Sequence, residues 1–210
     1  MNIHEALLSV HFPGQHEVME TLLNARSESH RRLIYDEFFF FQLGMAIKKS
    51  GRVLEPGISF KTTGNLLSKF YASLPFDLTE AQKRVVKEIQ KDLQAGISMN
   101  RLLQGDVGSG KTLVAMSAML TVCENGYQSA LMAPTEILAK QHFSTISQWA
   151  CPMGLKAVLL TGAINAAARS ETLEQIKSGQ ADIIIGTHAL IQEDVDFKKL
   201  GLVVIDEQHR

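Results

Sequence analysis

Eight consecutive residues, GDVGSGKT from Gly105 to Thr112, place three glycines, a lysine and a hydroxyl at the spacing GxxxxGK(S/T). Glycine lets successive backbone N–H groups turn inward around phosphate oxygens. A helix starting near Lys111 adds its positive dipole end. At this spacing Lys111 reaches the β- and γ-phosphates of a nucleotide such as ATP, and the Thr112 hydroxyl ligates Mg²⁺. Gly105, Asp106, Val107, Gly108, Ser109, Gly110, Lys111 and Thr112 are therefore a candidate nucleotide-binding set. Asp106 either supports the metal from behind or is solvated, and residue type does not separate the two. The plainer alternative is a glycine-rich turn with no ligand. The apolar NRLLQ before it and the helical KTLVAMSAMLTVCE after it supply the strand–loop–helix context that a phosphate cradle requires.

A second apolar strand, LVVIDE, delivers Asp206 and Glu207 at its C-terminal end, where parallel sheets place their ligands. Asp206 is the candidate Mg²⁺ carboxylate, and Glu207 the group that orients or deprotonates an attacking water. Adjacent carboxylates at a strand end are also found as a solvated turn, an alternative that weakens beside a phosphate cradle. In LPFDLTEAQ, Gln82 can donate to and accept from an adenine edge, and Phe76 can stack on its face. Each has a structural alternative: Gln82 stands three residues after Thr79, a capping-box spacing, and Phe76 suits a core.

Three further stretches end at the same expected sheet edge: APTEILAKQH, LLTG and GTHAL. They bring Pro134 and Thr135, Thr161 and Gly162, and Thr187 and His188 next to strand ends or helix starts. Hydroxyls and backbone N–H groups there can donate to nucleic-acid phosphates without sequence preference. Singly each is an ordinary helix or turn start. Together on a nucleotide-binding sheet they favour a motor over a small-molecule kinase, for which no substrate lid is visible. A nucleotide-operated switch module that does no work on DNA is the alternative function.

The elements that must position these residues alternate. Helices are expected at TEAQKRVVKEIQKDLQ with Thr79 as N-cap, at KTLVAMSAMLTVCE, at EILAKQHFSTISQWA with Thr135 as cap, and at AAARSETLEQIKS with Gly179 after its end. Strands are expected at NRLLQ, QSALMA, LKAVLL, ADIIIG and GLVVID. Alternation of this kind implies right-handed crossovers and a mostly parallel sheet covered on both faces. Residues 1–75 differ: Ile34, Phe38, Phe41 and Met45 recur at helical spacing and predict a helix with a buried face, stopping at Gly51. Four consecutive phenylalanines also suggest a stacking platform for bases, although helical spacing favours a core. LEPGISFKTTG follows as a loop.

Net charge is −1, so bulk charge does not announce a nucleic-acid binder and any polyanion must be held by local donors. Cys123 and Cys151 lack metal or disulfide spacing and suit reduced thiols in a cytosolic protein. The histidines, His11 and His16 among them, lack zinc spacing. The N-terminus MNIHEALLSV carries no signal-peptide pattern, and no apolar stretch is long enough to span a bilayer.

Taken with LPFDLTEAQ, GDVGSGKT, APTEILAKQH, LLTG and GTHALIQEDVDFKKLGLVVIDEQHR, the chain resembles the superfamily 2 helicases, and within them the RecG family of branch-migrating DNA helicases. Gln208-His209 after Asp206-Glu207 is more similar to RecG than to the transcription-repair coupling translocases or the primosomal helicase, which usually carry a second Glu in place of Gln208. HFPGQHEVMETLLNARSESHRRLIYDEFFFFQLGMA is similar to the helices preceding the RecG motor. The resemblance implies an α/β chain: residues 1–75 as a helical segment, and residues 76–210 as the first RecA-like P-loop domain, truncated after the DExH box. It implies an ATP- and Mg²⁺-dependent motor that couples hydrolysis to branch migration on replication-fork and recombination intermediates. A wedge domain with an OB-like fold, and a second RecA-like domain with the arginine fingers, would complete it. It further implies Gln208 and His209 as coupling residues, branched, single-stranded or duplex DNA as partner, no membrane, and a bacterial cytoplasmic, nucleoid-associated location. The 210 residues alone are expected to bind Mg-nucleotide weakly and not to unwind DNA.

Overall fold

The helix that follows the glycine-rich loop is apolar nearly all round, so it has to be buried on every side. The computed structural model, which describes residues 1–14, 18–52 and 56–208 and the side chains of all these except 49–52, shows how. The chain divides into two compact units, residues 1–55 and 56–210.

In the second unit, α4 (Asn65–Ser73) and α5 (Glu80–Gln94) precede α6 (Lys111–Glu124). Then come β1 (Gln128–Met132), α7 (Glu136–Ala150), β2 (Ala157–Leu160), α8 (Ala166–Ser178), β3 (Ile183–Gly186) and β4 (Leu200–Ile205). The four strands form one parallel sheet in the order β2-β3-β1-β4. Side chains of β3 alternate between its faces. Ile183 and Ile185 join Leu131, Ile146 and the Leu113, Met116, Met119 and Leu120 face of α6, and Ile184 joins Val158, Leu160 and Ile176 beneath α8. The opposite side of α6 packs Val114, Ala118 and Val122 on Val86, Ile89 and Leu93 of α5. Phe70 of α4 is fully buried, edge-on to Trp149. Each fully buried aliphatic side chain contributes about 1.5–3 kcal/mol.

The expected parallel α/β arrangement is therefore present, with the four helices and four of the five strands near their expected positions. Thr79 caps α5 in a capping box with Gln82, Thr135 caps α7, and Gly179 ends α8 in the left-handed region at φ 75°. The expected strand at NRLLQ is a correction: residues 100–104 form no strand. A strand exists only where a neighbour completes its hydrogen bonds, and among the described residues no strand pairs with this segment. Instead Arg101 is held by Glu88 and Asp92 of α5, Leu103 packs on the α5–α6 cluster, and Leu102 is 71% exposed. β4 accordingly lies at an edge of the sheet, with Val203 and Ile205 exposed.

The first unit holds α1 (Ile3–His11), α2 (Met19–Leu23) and α3 (Glu28–Arg52). Asn2 and Glu5 close a capping box on α1, Ala6 is buried, and Arg32 of α3 donates from Nε to Met1 O at 3.3 Å. Among the described side chains of α3, those after Asp36 are exposed, and Asp36 itself pairs with Arg32. The expected buried face is thus also corrected: Ile34, Phe38, Phe41 and Met45 are all exposed, Phe38 by 62%. Spacing marks an apolar stripe but cannot supply a partner, and the contacts described between the start of the chain and α3 are those of Met1 with Ser29 and Arg32, near the start of that helix. The helix also runs past the expected stop at Gly51, through Arg52. His16 lies outside the described residues.

Candidate functional site

The parallel register brings the C-terminal ends of all four strands into one row. Met132 of β1 pairs with Gly186 of β3 and with Ile205 of β4, and Gly186 pairs with Leu160 of β2. The residues just beyond each end leave from a common edge: Pro134 and Thr135, Thr161 and Gly162, Thr187 and His188, Asp206 and Glu207. Nothing local in the sequence dictates this row. It follows from parallel pairing without slippage at the strand ends.

Hydrogen bonds tie the row together, Ala133 N donating to Gly186 O at 2.8 Å between the ends of β1 and β3. Glu136, in the first turn of α7, accepts from the backbone N–H of Ala163 at 2.9 Å, which fixes the Thr161-Gly162 turn against the start of α7. Thr187 N donates to Leu160 O at 3.4 Å, joining the ends of β3 and β2. The six candidate DNA contacts differ in exposure. Thr135, Gly162 and His188 are exposed, Pro134 and Thr187 half-buried, and Thr161 buried. The Thr135 hydroxyl accepts from Leu138 N at 3.3 Å as helix cap, so it has structural work besides any contact with a ligand.

The glycine-rich loop lies before α6. Gly108 and Gly110 adopt φ 81° and 82°, a region that side chains resist, and Gly110 is the residue from which α6 starts. A Cβ on Gly105 would lie 2.7 Å from Ser109 Oγ, and the serine side chain would have to turn away to admit it. Ser109 N donates to Asp106 O at 3.1 Å. The Lys111 side chain folds back over the loop, and its Nζ donates to Gly105 O and to Asp106 O, both at 2.9 Å. Val107 is fully exposed and Thr112 is half-buried in the first turn of α6.

Gln82 meets this loop. Its Oε1 accepts from Thr79 N at 2.9 Å, completing the capping box, and its Nε2 donates to Ser109 O at 3.0 Å. The capping alternative read from spacing is present, and the same side chain also touches the glycine-rich loop. Phe76, on the approach to α5, has an exposed ring.

Asp206 continues the β4 ladder through its N–H to Met132 O at 2.9 Å. Its Oδ2 accepts from Nε2 of His142, on the second turn of α7, at 2.8 Å. Sequence reasoning assigned His142 no role. Nothing local links two residues 64 apart, and only the packing of α7 against the strand row joins them. Glu207 is half-buried and takes φ 51°, a left-handed conformation uncommon outside glycine and one that clusters at functional sites. Gln208 is exposed, and His209 lies outside the described residues. The oxygen donors available, the Thr112 hydroxyl and the Asp206 carboxylate, are of the type that Mg²⁺ takes.

Among the described residues no helix is long and apolar enough to cross a membrane. Cys123 and Cys151 are both free thiols.

Comparison with known proteins gives a consistent picture. The DEAD/DEAH box helicase family matches residues 79–210. The chain is 47% identical over its whole length to the ATP-dependent DNA helicase RecG of Synechocystis, of which it covers 24%. It is 47% identical over 99% of its length to the Bacillus subtilis protein of the same name, of which it covers 30%. A solved structure of RecG bound to a three-way DNA junction superposes with a TM-score of 0.80 and 47% identity, over 87% of this chain and 25% of that one. The chain therefore spans roughly a quarter to a third of the length of the relatives it matches.

Proposed function

The chain belongs to the DEAD/DEAH box helicase family, and from that premise we propose that it is the nucleotide-binding part of an ATP-dependent motor acting on branched DNA. The observation that carries this reading is the row of strand ends, which puts the Asp206-Glu207 pair next to the loop after β1 and in line with the loops after β3 and β2, all carrying hydroxyl and backbone donors. A nucleotide switch has no need of those loops. Relatives named as RecG, one of them held on a three-way junction, supply the substrate class.

In this reading Gly105 to Thr112 cradle the phosphates of ATP, and Lys111 leaves its two carbonyl partners to reach the β- and γ-phosphates. Thr112 and Asp206 hold Mg²⁺, which neutralises phosphate charge. Glu207 orients the attacking water. Gln82, with Phe76 near it in sequence, meets the adenine. Pro134, Thr135, Thr161, Gly162, Thr187 and His188 contact the DNA backbone, and Gln208 and His209 carry the nucleotide state to a second motor domain. Residues 76–210 are the first RecA-like domain, with 1–75 leading into it. The arginine finger, worth roughly 10³–10⁵ in rate in P-loop enzymes, belongs to a second RecA-like domain, and a wedge domain grips the junction. The 210 residues alone then turn over ATP near background and do not unwind. The intact motor works in the bacterial cytoplasm at the nucleoid, on replication-fork and recombination intermediates.

Fluorescence anisotropy of a labelled three-way junction titrated with the 210-residue chain tests the DNA half of this reading. Binding that is weak, indifferent to sequence, steeply weakened by salt and reduced by His188→Ala is expected. Absence of any salt-dependent binding would favour the switch module.

A further inference from the structure

We infer that His142 is a positioning residue for the Mg²⁺-holding carboxylate: its imidazole aims Asp206 at the metal. The inference rests on the reading of Asp206 as a metal ligand. An ionised carboxylate only accepts hydrogen bonds, so at 2.8 Å the proton of the contact sits on Nε2 of His142 and is donated to Oδ2. The contact is sheltered, with the two side chains 15% and 31% exposed.

Asp206 is then constrained twice. Its backbone N–H is pinned to Met132 O at 2.9 Å, and Oδ2 is pinned to His142. The direction of Oδ1, the oxygen left for a cation, follows from those two anchors. The support for His142 is firm as well. Its helix α7 is capped at its start by Thr135 and tied through Glu136 to Ala163 N, and Ala139 and Ile146, on either side of His142, are fully buried. A helix fixed at its start and packed on both sides of the histidine holds the imidazole in one place. Partners of this kind behind a ligating carboxylate typically change metal affinity 10–100-fold when removed.

The test is calorimetric titration of ADP into the 210-residue chain, with Mg²⁺ and with chelator, for the parent, His142→Ala and His142→Gln. Circular dichroism and a melting curve confirm that each variant is folded. The parent is expected to bind ADP more tightly with Mg²⁺. His142→Ala should keep the affinity for metal-free ADP and lose Mg²⁺ affinity by roughly tenfold or more. His142→Gln, whose amide N–H can donate to the same carboxylate, should recover part of the loss. An unchanged Mg²⁺-dependent gain in both folded variants overturns the inference and leaves the nucleotide site standing. Equal loss of both forms of ADP means that His142 only supports the fold, which also overturns it. A parent that binds ADP with no Mg²⁺-dependent gain overturns the metal role of Asp206 and the inference with it. No ADP binding by the parent removes the nucleotide-site reading itself.

Discussion

Gln82 donates to Ser109 O at 3.0 Å through Nε2 while its Oε1 accepts from Thr79 N at 2.9 Å. One side chain thus closes the first turn of α5 and steadies the glycine-rich loop. The two roles use different atoms, so they can be separated by substitution.

Gln82→Ala should lower stability by about 1 kcal/mol, the usual scale for a lost cap contact, and weaken Mg-ADP binding. Gln82→Glu keeps the acceptor for Thr79 N and loses the donor to Ser109 O. It should hold its melting temperature while still binding nucleotide less well. Thermal melts paired with titrations check both.

Gly110→Ala forces a Cβ into the left-handed region at φ 82° and to within 2.5 Å of Gln82 Nε2. The conformational penalty alone is roughly 1–2 kcal/mol. Nucleotide binding should be lost, because relief of the contact requires the loop or Gln82 to move. A variant that melts and binds like the parent would show that the loop is not held as described.

Glu124, at the end of α6, accepts from Gly64 N at 3.2 Å and Leu66 N at 3.1 Å, at the start of α4. Burial alone would raise its carboxyl, but hydrogen bonds from Thr63 and from the backbone of Leu66, Gly64 and Asn65 outweigh that and hold it below the ordinary value. A depressed carboxylate stabilises the fold above its unfolded pKa and loses that contribution as pH falls through the folded one. Glu124→Gln should therefore be less stable than the parent at pH 7, with the difference shrinking as the pH falls below the usual glutamate range. Urea unfolding at several pH values measures this.

Burial pushes the Cys123 thiol from 9.0 up to about 12; Asp182 adds to the shift and a hydrogen bond with Ser129 opposes it. The raised value means that the thiol's contribution to stability is complete below about pH 9 and is lost as pH rises toward 12. Cys123→Ala should flatten the alkaline part of the stability profile. At pH 8 the exposed Cys151 should react with iodoacetamide and Cys123 should not, which mass spectrometry of the folded chain would show.

Features set by neighbours along the chain were legible in the sequence. The capping box of Thr79 and Gln82, the cap at Thr135 and the glycine ending α8 each depend on residues within one turn, and each is present. The strands β1 to β4 were legible as short apolar runs bounded by turn residues. NRLLQ has the same texture but no paired neighbour, and a strand is a property of a pair. The stripe on α3 shows the same limit, since periodicity names a face and not what covers it. At the site, the glycine loop announced itself by local spacing, whereas the His142–Asp206 contact joins α7 to the end of β4 and required the sheet. The double role of Gln82 lay between these cases: its cap was local, and its contact with Ser109 was not.

The central claim is that Lys111, held now by Gly105 O and Asp106 O, is the phosphate-binding cation of this chain. Calorimetric titration of Mg-ADP into the 210-residue chain and into Lys111→Ala tests it most directly. A lost charge-assisted contact costs about 1.5–3 kcal/mol, so the parent should bind weakly and the variant roughly 10- to 100-fold more weakly still. Equal binding by both would contradict the assignment.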